Sequence, residues 1–568
     1  MATGYIGNNN VASKVNNIYV GVNNVARKVS KAYVGVNNVA KLAYTSDAPT
    51  NFLVFTAVNG GSTLSMTATG YGTTYTLPEL QYSLDKGKWT DFIPGVTIIT
   101  FPNAGSSVRM CAKSTNASIS YANAYSTFTG EGNVRCSGNV MSLLDKTGLI
   151  DSIQNEYCFY KLFENFTNLL SAPELPCLNL SSNCYANMFY GCSNLLTAMA
   201  LPATDLKEHC YENMFYGCSS LSTAPLLPAT VLKEYCYSNM FYGTSIIETP
   251  ELLATDVPAY AYRGMFESCT SLTTINALGV TKLSGEACMS RMFYGCTGVT
   301  TSPTMSFTNI PSNGLSYMFY KCKIRDGSVI TISGEISYSG CAYMFADTYL
   351  TKCAIFDGIT SIGVNGCGYM YQDCSLLKTI PDLSCASISS FCYQNMFYYC
   401  SALETVPDEL PALDVPQYAY YCMFMNCNKI TKTPKILATS VAECSMAMMF
   451  EGCTSLKTIS SPLKAAHVTY WCYMNMFKGC KALTQIPAIY ATEYDVDATV
   501  GATKYSYAFN GMLDNSGVIF MSEASTSYPN KFRIPMTGTG TPDIMLKIVW
   551  NNFYANTTVY TNVEVVTD

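Results

Sequence analysis

Residues 184–195 read Cys184-Tyr185-Ala186-Asn187-Met188-Phe189-Tyr190-Gly191-Cys192-Ser193-Asn194-Leu195, and residues 210–221 repeat the pattern as Cys210-Tyr211-Glu212-Asn213-Met214-Phe215-Tyr216-Gly217-Cys218-Ser219-Ser220-Leu221. The aromatic residue of this motif recurs at Phe163, Phe189, Phe215, Phe241, Phe266, Phe293, Phe319, Phe345, Tyr371, Phe397, Phe424, Phe450 and Phe477. Successive members lie 25 to 27 residues apart, most of them 26. A period held that closely defines a repeat architecture before any single element is assigned.

Other positions keep the same register. A cysteine follows the aromatic by three at Cys192, Cys218, Cys269, Cys296, Cys322, Cys374, Cys400, Cys427, Cys453 and Cys480, and an aliphatic residue follows three later, as at Leu195, Leu221, Val299 and Leu456. One such unit has too few apolar residues to bury a core alone. Stacked copies put Phe on Phe and Cys on Cys, and the stack makes a continuous interior. The expected fold is a β-rich repeat solenoid over residues 141–510, about 13 turns of 26 residues. A short strand is expected after the aliphatic residue, with a tight turn or short helix at the Met-Phe segment. Phe189, Phe215, Phe241 and Phe293, with Cys192, Cys218, Cys296, Cys400, Cys453 and Cys480, form the expected core ladder. A degenerate further copy is expected near Tyr505 to Met512.

The flanks read differently. Residues 1–44 carry a 14-residue period, Tyr5-Ile6-Gly7, Tyr19-Val20-Gly21 and Tyr33-Val34-Gly35, with Asn23-Asn24 and Asn37-Asn38 between apolar runs. Asn tolerates the positive φ of tight turns, so this segment is expected to form small β-hairpins. Residues 45–140, with runs such as Phe52-Leu53-Val54-Phe55 between Gly, Asn and Ser clusters, are expected to form a small β-sandwich-like domain. Residues 511–568, with Ile548-Val549-Trp550 and Val563-Glu564-Val565-Val566, are expected to close the solenoid as a C-terminal β cap.

Composition narrows the function classes. Charged residues are 13% of the chain and its net charge is −6, which gives no electrostatic footprint for nucleic acid. No apolar run is long enough for a membrane-spanning helix. The start, Met-Ala-Thr-Gly-Tyr-Ile, lacks a basic, apolar leader, so the protein is expected to be made and kept in cytoplasm, with removal of a leader as the alternative. Only His209 and His467 are present, which weighs against acid–base and metal mechanisms, and no cofactor or metal is expected.

Cysteine is the feature most easily over-read. The eight-residue spacing of Cys184 and Cys192 is not that of zinc modules, and cysteine packs well as a small apolar side chain. Buried free thiols are the expected reading of all 26, against inter-turn disulfides or metal sites. His209 beside Cys210 suggests a nucleophile pair, but Cys210 occupies a repeat position shared with Cys184 and Cys236, which packing explains. Among the 43 tyrosines, Tyr190, Tyr216, Tyr242, Tyr294, Tyr320 and Tyr398 follow the Met-Phe pair and would line up on one face. They either pack between turns or offer a ligand-binding surface of large contact area with polar tips.

The Cys-Tyr-x-x-Met-Phe-x-Gly-Cys-x-x-Leu core, over roughly residues 135–510, resembles the BspA-like leucine-rich repeats of bacterial surface proteins. That resemblance implies adhesion or receptor recognition and supplies no catalytic residue. The 14-residue repeat is similar to segments at the N-termini of phage structural and tail-fibre proteins, which implies a bacteriophage virion protein, a fibre or decoration protein assembled in host cytoplasm. Its expected partners are other virion proteins through residues 1–44 and a bacterial surface receptor or polysaccharide through the solenoid face. A homo-oligomer is compatible with this arrangement. A bacterial cell-surface adhesin and a structural spacer without a ligand are the alternatives. An enzyme such as a glycan depolymerase would need a carboxylate pair in a groove.

Overall fold

The structure, a computed structural model, describes residues 52–483 apart from 73–74, 149, 328–329 and 382. It also describes residues 487, 489–491, 493–494 and 508–517, and the backbone of short strands at both ends of the chain. Two compact units result, Met1–Ala203 and Thr204–Asp568.

In the first unit, the 14-residue repeats form three antiparallel hairpins, Gly4–Asn8 with Val11–Val15, Tyr19–Val22 with Val25–Lys28, and Lys31–Val36 with Val39–Thr45. Two sheets follow. One has the order Thr90–Phe92, Leu80–Leu84, Ser107–Ala112, Leu53–Ala57, Val134–Gly138, and the other the order Ile98–Thr100, Thr63–Thr69, Tyr125–Thr129. They share a core through Phe55 and Phe128, whose ring centres are 4.9 Å apart.

Each sheet gives its last strand to the first repeat. Val134 bridges Leu169 in parallel, and Asn139 bridges Glu174. On the other side, the Phe128 N–H donates to the Leu162 carbonyl at 2.8 Å, and the Phe128 ring stacks on Phe163, which stacks on Phe189. Phe128 thus fills the place of a core aromatic one level before the first repeat. The β-domain is the N-terminal cap of the solenoid, which spares the first repeat an exposed apolar end.

The Met-Phe segment is neither helix nor strand. It is a run of overlapping tight turns with a left-handed residue at every fourth position: Asn183, Asn187 and Gly191 have φ of 59°, 54° and 71°. Alternate amides bond differently. The Met188 N–H donates back to the Tyr185 carbonyl (3.2 Å), whereas the Phe163 N–H donates forward to the Met188 carbonyl (2.8 Å). Half of the backbone groups are therefore satisfied within a turn and half between turns, as burial requires. This geometry explains the Asn and Gly of the motif, the residues that enter the left-handed region at least cost.

The second unit repeats this arrangement. Its core aromatics stack in sequence from Phe241 on Phe266 (5.5 Å) to Phe450 on Phe477 (5.7 Å). A second buried column, Tyr211, Tyr237 and Tyr262, runs beside it with ring centres 5.8 and 6.1 Å apart. Opposite the turns, strands are mostly two residues long, as in Asp256–Val257 paired with Lys282–Leu283. Where the motif is degenerate, around residues 305–362, they lengthen into the three-stranded parallel sheet Met305–Ile310, Ile330–Ile336, Ile355–Ile362.

Residues 508–517 form a further level, with Phe509 stacked on Tyr473 and the Phe477 N–H donating to the Met512 carbonyl. This is the region where the sequence reading placed a further copy, Tyr505 to Met512, of which residues 505–507 lie outside the described residues. Beyond it, Met521–Ser525, Tyr528–Ile534 and Glu564–Thr567 make a three-stranded sheet. Ile548, Val549 and Trp550 of the expected cap lie outside the described residues.

Candidate binding face

Phe189, Phe215, Phe241, Phe293, Cys192, Cys218, Cys296, Cys400, Cys453 and Cys480 are all completely buried. All 26 cysteines are free thiols, and all but Cys353 are buried. Burial holds the thiols of Cys269 and Cys374 up at about 11 and that of Cys322 at about 12, far from the thiolate a nucleophile needs. Cys210 is likewise fully buried. Its neighbour His209 has its own partners in the repeat: Nδ1 lies 2.8 Å from Glu212 Oε2, and the imidazole stacks on Tyr235 at 4.5 Å.

Asp408 and Glu409 line a proline-edged cleft on the strand side with Pro381, Pro407 and Pro411. The Asp408 side chain is 98% exposed, so its carboxylate is solvated rather than held in the apolar setting that makes a general acid.

The described tyrosines fall into buried, half-exposed and, as with Tyr338 and Tyr399, exposed groups. Tyr190, Tyr216, Tyr242, Tyr294, Tyr320 and Tyr398 all belong to the second. In the second unit they do not form one row. Tyr216 stacks on Tyr242 at 4.2 Å and 2°, and Tyr294 on Tyr320 at 5.0 Å and 21°. Glu267 takes the intervening level between the two pairs, and Ala346 and Gln372 separate Tyr320 from Tyr398. Tyr398 instead meets Tyr399 edge-on at 4.6 Å. In the Tyr216–Tyr242 pair the facing ring surfaces cover each other, so the pair offers edges and hydroxyls rather than those two faces.

The sequence reading missed a second half-exposed column two residues before the core aromatic. Tyr317 stacks on Tyr343 at 4.6 Å, and Tyr343 on Tyr369 at 4.4 Å, both within 6° of parallel. Their 26-residue spacing was a usable signal, but it is confined to three turns and does not share the Met-Phe-Tyr motif. Here the two columns adjoin: Tyr320 meets Tyr317 at 66° and Tyr343 at 72°, which makes a corner of crossed ring planes. Partial burial raises the hydroxyls of Tyr317, Tyr320, Tyr343 and Tyr369 above the usual phenol range, so all are donors at neutral pH.

One end of this corner is built on a charge pair. Glu267 is 6% exposed, and its carboxylate accepts two bonds from the Arg291 guanidinium, one from Nε at 2.8 Å. The pairing raises the Arg291 pKa and fixes its plane 4.0 Å from the centre of the Tyr294 ring. At the other end Gln394 donates to the Tyr369 hydroxyl at 2.7 Å. Asp347 and Asp373 are exposed, and partial burial raises the Asp347 carboxyl, with Lys321 opposing and Asp373 adding. Among the described residues, no three His, Cys, Asp or Glu side chains gather as a metal site, and no helix is long and apolar enough to cross a membrane.

The chain is similar in structure to a leucine-rich repeat protein from Bacteroides ovatus ATCC 8483, with 15% identity, a TM-score of 0.37 and coverage of 72% of this chain and 93% of that one. It is also similar to the TLR13–ssRNA13 complex, with 13% identity, a TM-score of 0.21 and coverage of 72% and 52%. No curated protein matches it. The model of the BspA type leucine-rich repeat region matches residues 156–263, 183–325, 262–404 and 368–492, more than half of the chain. The protein is a member of the BspA-type leucine-rich repeat family.

Proposed function

We propose that this leucine-rich repeat protein is a non-enzymatic binding protein that recognises a bacterial surface through the turn face of its solenoid. The observation that carries the reading is the run of half-exposed, mutually stacked tyrosines, held in fixed order by a buried ladder beneath them. A pre-ordered aromatic surface loses little side-chain freedom on binding, and tyrosine combines contact area with a hydrogen-bonding tip. A fibre or decoration protein of a phage virion, attached through residues 1–44, is the setting we favour. The 14-residue hairpins support it, because isolated two-stranded hairpins are marginal without a partner surface. An adhesin on the bacterial cell surface is the alternative.

The test is adsorption of the labelled full-length protein to a panel of bacterial strains. Saturable binding to some strains and not others is expected, and its absence from all of them sinks the reading. An antibody against residues 150–500 separates the two settings, since it marks intact phage particles in one and the bacterial envelope in the other.

A further inference from the structure

The geometry points to the corner formed by Tyr294, Tyr317, Tyr320, Tyr343 and Tyr369, with Arg291 at its end, as the site of recognition, and to a neutral glycan as its ligand. This rests on the binding function proposed above and names its place and chemistry.

Strain is the first argument. Tyr317, Tyr343 and Tyr369 have φ of 57°, 57° and 60°. Other turns put Asn187, Asn213, Asn239, Gly264, Asn395 or Asn475 at this position, all of a type that enters this region cheaply, while Lys161, Arg291, Cys422 and Met448 hold it in the rest. Three successive bulky residues in a costly conformation point to a use for their side chains. Left-handed aromatics occur elsewhere, as at Tyr235 and Tyr260, which stack at 4.5 Å, so strain alone does not single out the corner.

What singles it out is the second column beside it. In a single stack the facing ring surfaces cover each other. Where Tyr320 crosses Tyr317 and Tyr343 at 66° and 72°, the ring edges and hydroxyls of two columns converge at an angle, and a pyranose ring can lie along both sets of edges at once. The polar groups around it also suit a sugar. Phenol hydroxyls donate, the Asp347 and Asp373 carboxylates accept, and all project from turns held by hydrogen bonds to neighbouring turns.

Charge decides between glycan classes. Glu267 already neutralises Arg291, and Asp347 lies beside Lys321. With Arg291 paired to Glu267, the one further cation at the corner is Lys321, 5.3 Å from the centre of the Tyr320 ring, and the two carboxylates of Asp347 and Asp373 outnumber it, so the charge balance disfavours a uronate or a phosphate. A polymer of neutral hexoses meets no such penalty, and its repeated rings can engage successive turns.

The test uses the full chain and two variants. Tyr317→Asn/Tyr343→Asn/Tyr369→Asn installs the residue that other turns use at this position, so the fold is kept and left-handed strain is relieved. Tyr235→Asn/Tyr260→Asn does the same at the other left-handed aromatic column, where Asn183 and Asn365 stand in other turns. Binding is measured to immobilised β-glucan, mannan, galactan and polyuronate. We expect wild type and the double variant to bind at least one neutral polymer equally, the triple variant to bind it at least tenfold more weakly with an unchanged melting temperature, and the polyuronate to be ignored. Retention of neutral-glycan binding by the triple variant, or preference for the polyuronate, overturns the proposal. So does failure to bind any of the polymers. If the protein still adsorbs to bacteria in that case, the binding function stands and only the glycan assignment falls.

Discussion

The thiol of Cys296 donates a hydrogen bond to the backbone carbonyl of Phe266, one turn earlier, at 2.9 Å. That carbonyl also accepts the Cys269 N–H at 3.1 Å, so the thiol occupies its second lone pair. The relation recurs from Cys322 to Phe293 (3.0 Å), Cys427 to Phe397 (3.1 Å) and Cys480 to Phe450 (3.1 Å). The repeated cysteine is therefore both an apolar filler and a donor that ties each turn to the one before. Thr244 and Thr348, at the same repeat position, donate to the carbonyls of Phe241 and Phe345 in their own turns.

Cys296→Ala removes the donor and opens a small void. We expect a loss of about 1–2 kcal/mol in urea unfolding. Cys296→Thr should cost less, because threonine already serves at this position. Equal stability of the alanine variant and wild type would reduce the thiol to a space filler.

The buried thiols also set a pH dependence. Burial raises the folded-state values of Cys269, Cys374 and Cys322 from the ordinary 9.0 to about 11, 11 and 12, so the fold favours their protonated forms. Their contribution is complete below pH 9 and is lost as pH rises through that value toward 11–12, at about 1.4 kcal/mol per group per unit. Melting in reductant should therefore be flat from pH 7 to 8 and fall steeply above 9. Thiol titration at pH 8 should find few reactive groups in the native protein and nearly all 26 after denaturation. Recovery of only a handful after denaturation without reductant would mean that inter-turn disulfides exist.

Two glycines separate backbone strain from crowding. Gly452 and Gly243 both have positive φ, 75° and 66°. A Cβ at Gly452 would collide with the Asn426 side-chain amide, whereas one at Gly243 meets nothing within 4 Å. Gly243→Ala is expected to cost about 1 kcal/mol, the conformational term alone, and Gly452→Ala at least twice that. Equal losses in chemical denaturation would show that the Asn426 amide swings aside freely.

The repeat was legible because packing imposes one residue type per level, and Phe189, Cys192 and Leu195 announce it. The turn geometry was not. Nothing in an Asn-Met-Phe string states that Asn187 is left-handed until the alternating bonds within and between turns are seen. The cap was hidden for a related reason: Phe128 lies in an ordinary strand, Tyr125–Thr129, and only its stacking on Phe163 reveals it as a level of the solenoid. At the candidate site, Tyr294 and Tyr320 were readable from the motif. Tyr317, Tyr343 and Tyr369 fall outside it, and the crossing of the two columns depends on side-chain angles that no spacing encodes.

Residues 1–44 are proposed to dock onto other virion proteins. Among the described residues, each hairpin's two strands pair with each other. A chain lacking residues 1–44 should therefore melt within a few degrees of the intact protein and fail to enter the particle. Normal incorporation of the truncated protein removes the anchor role.

Phe128 tests whether the β-domain and the first repeats stand as one structure. Its ring is fully buried between Phe55 at 4.9 Å and Phe163 at 5.3 Å. Phe128→Ala should cost about 3–5 kcal/mol, the range for deleting a buried aromatic ring. A cap works locally, so the damage should be graded along the chain. The Leu170 and Glu174 amides, which donate to the Val134 and Gly138 carbonyls, should lose hydrogen-exchange protection first. Amides far along the second unit, such as Phe397 and Phe424, should keep theirs, because each repeat is stabilised mainly by its neighbours. Tyr125→Ala, on the same strand but half-buried, controls for damage to the strand itself and should have a much smaller effect. If Phe128→Ala unfolds the β-domain while Leu170 and Glu174 stay protected, the repeats do not need this cap and the two parts are stable separately.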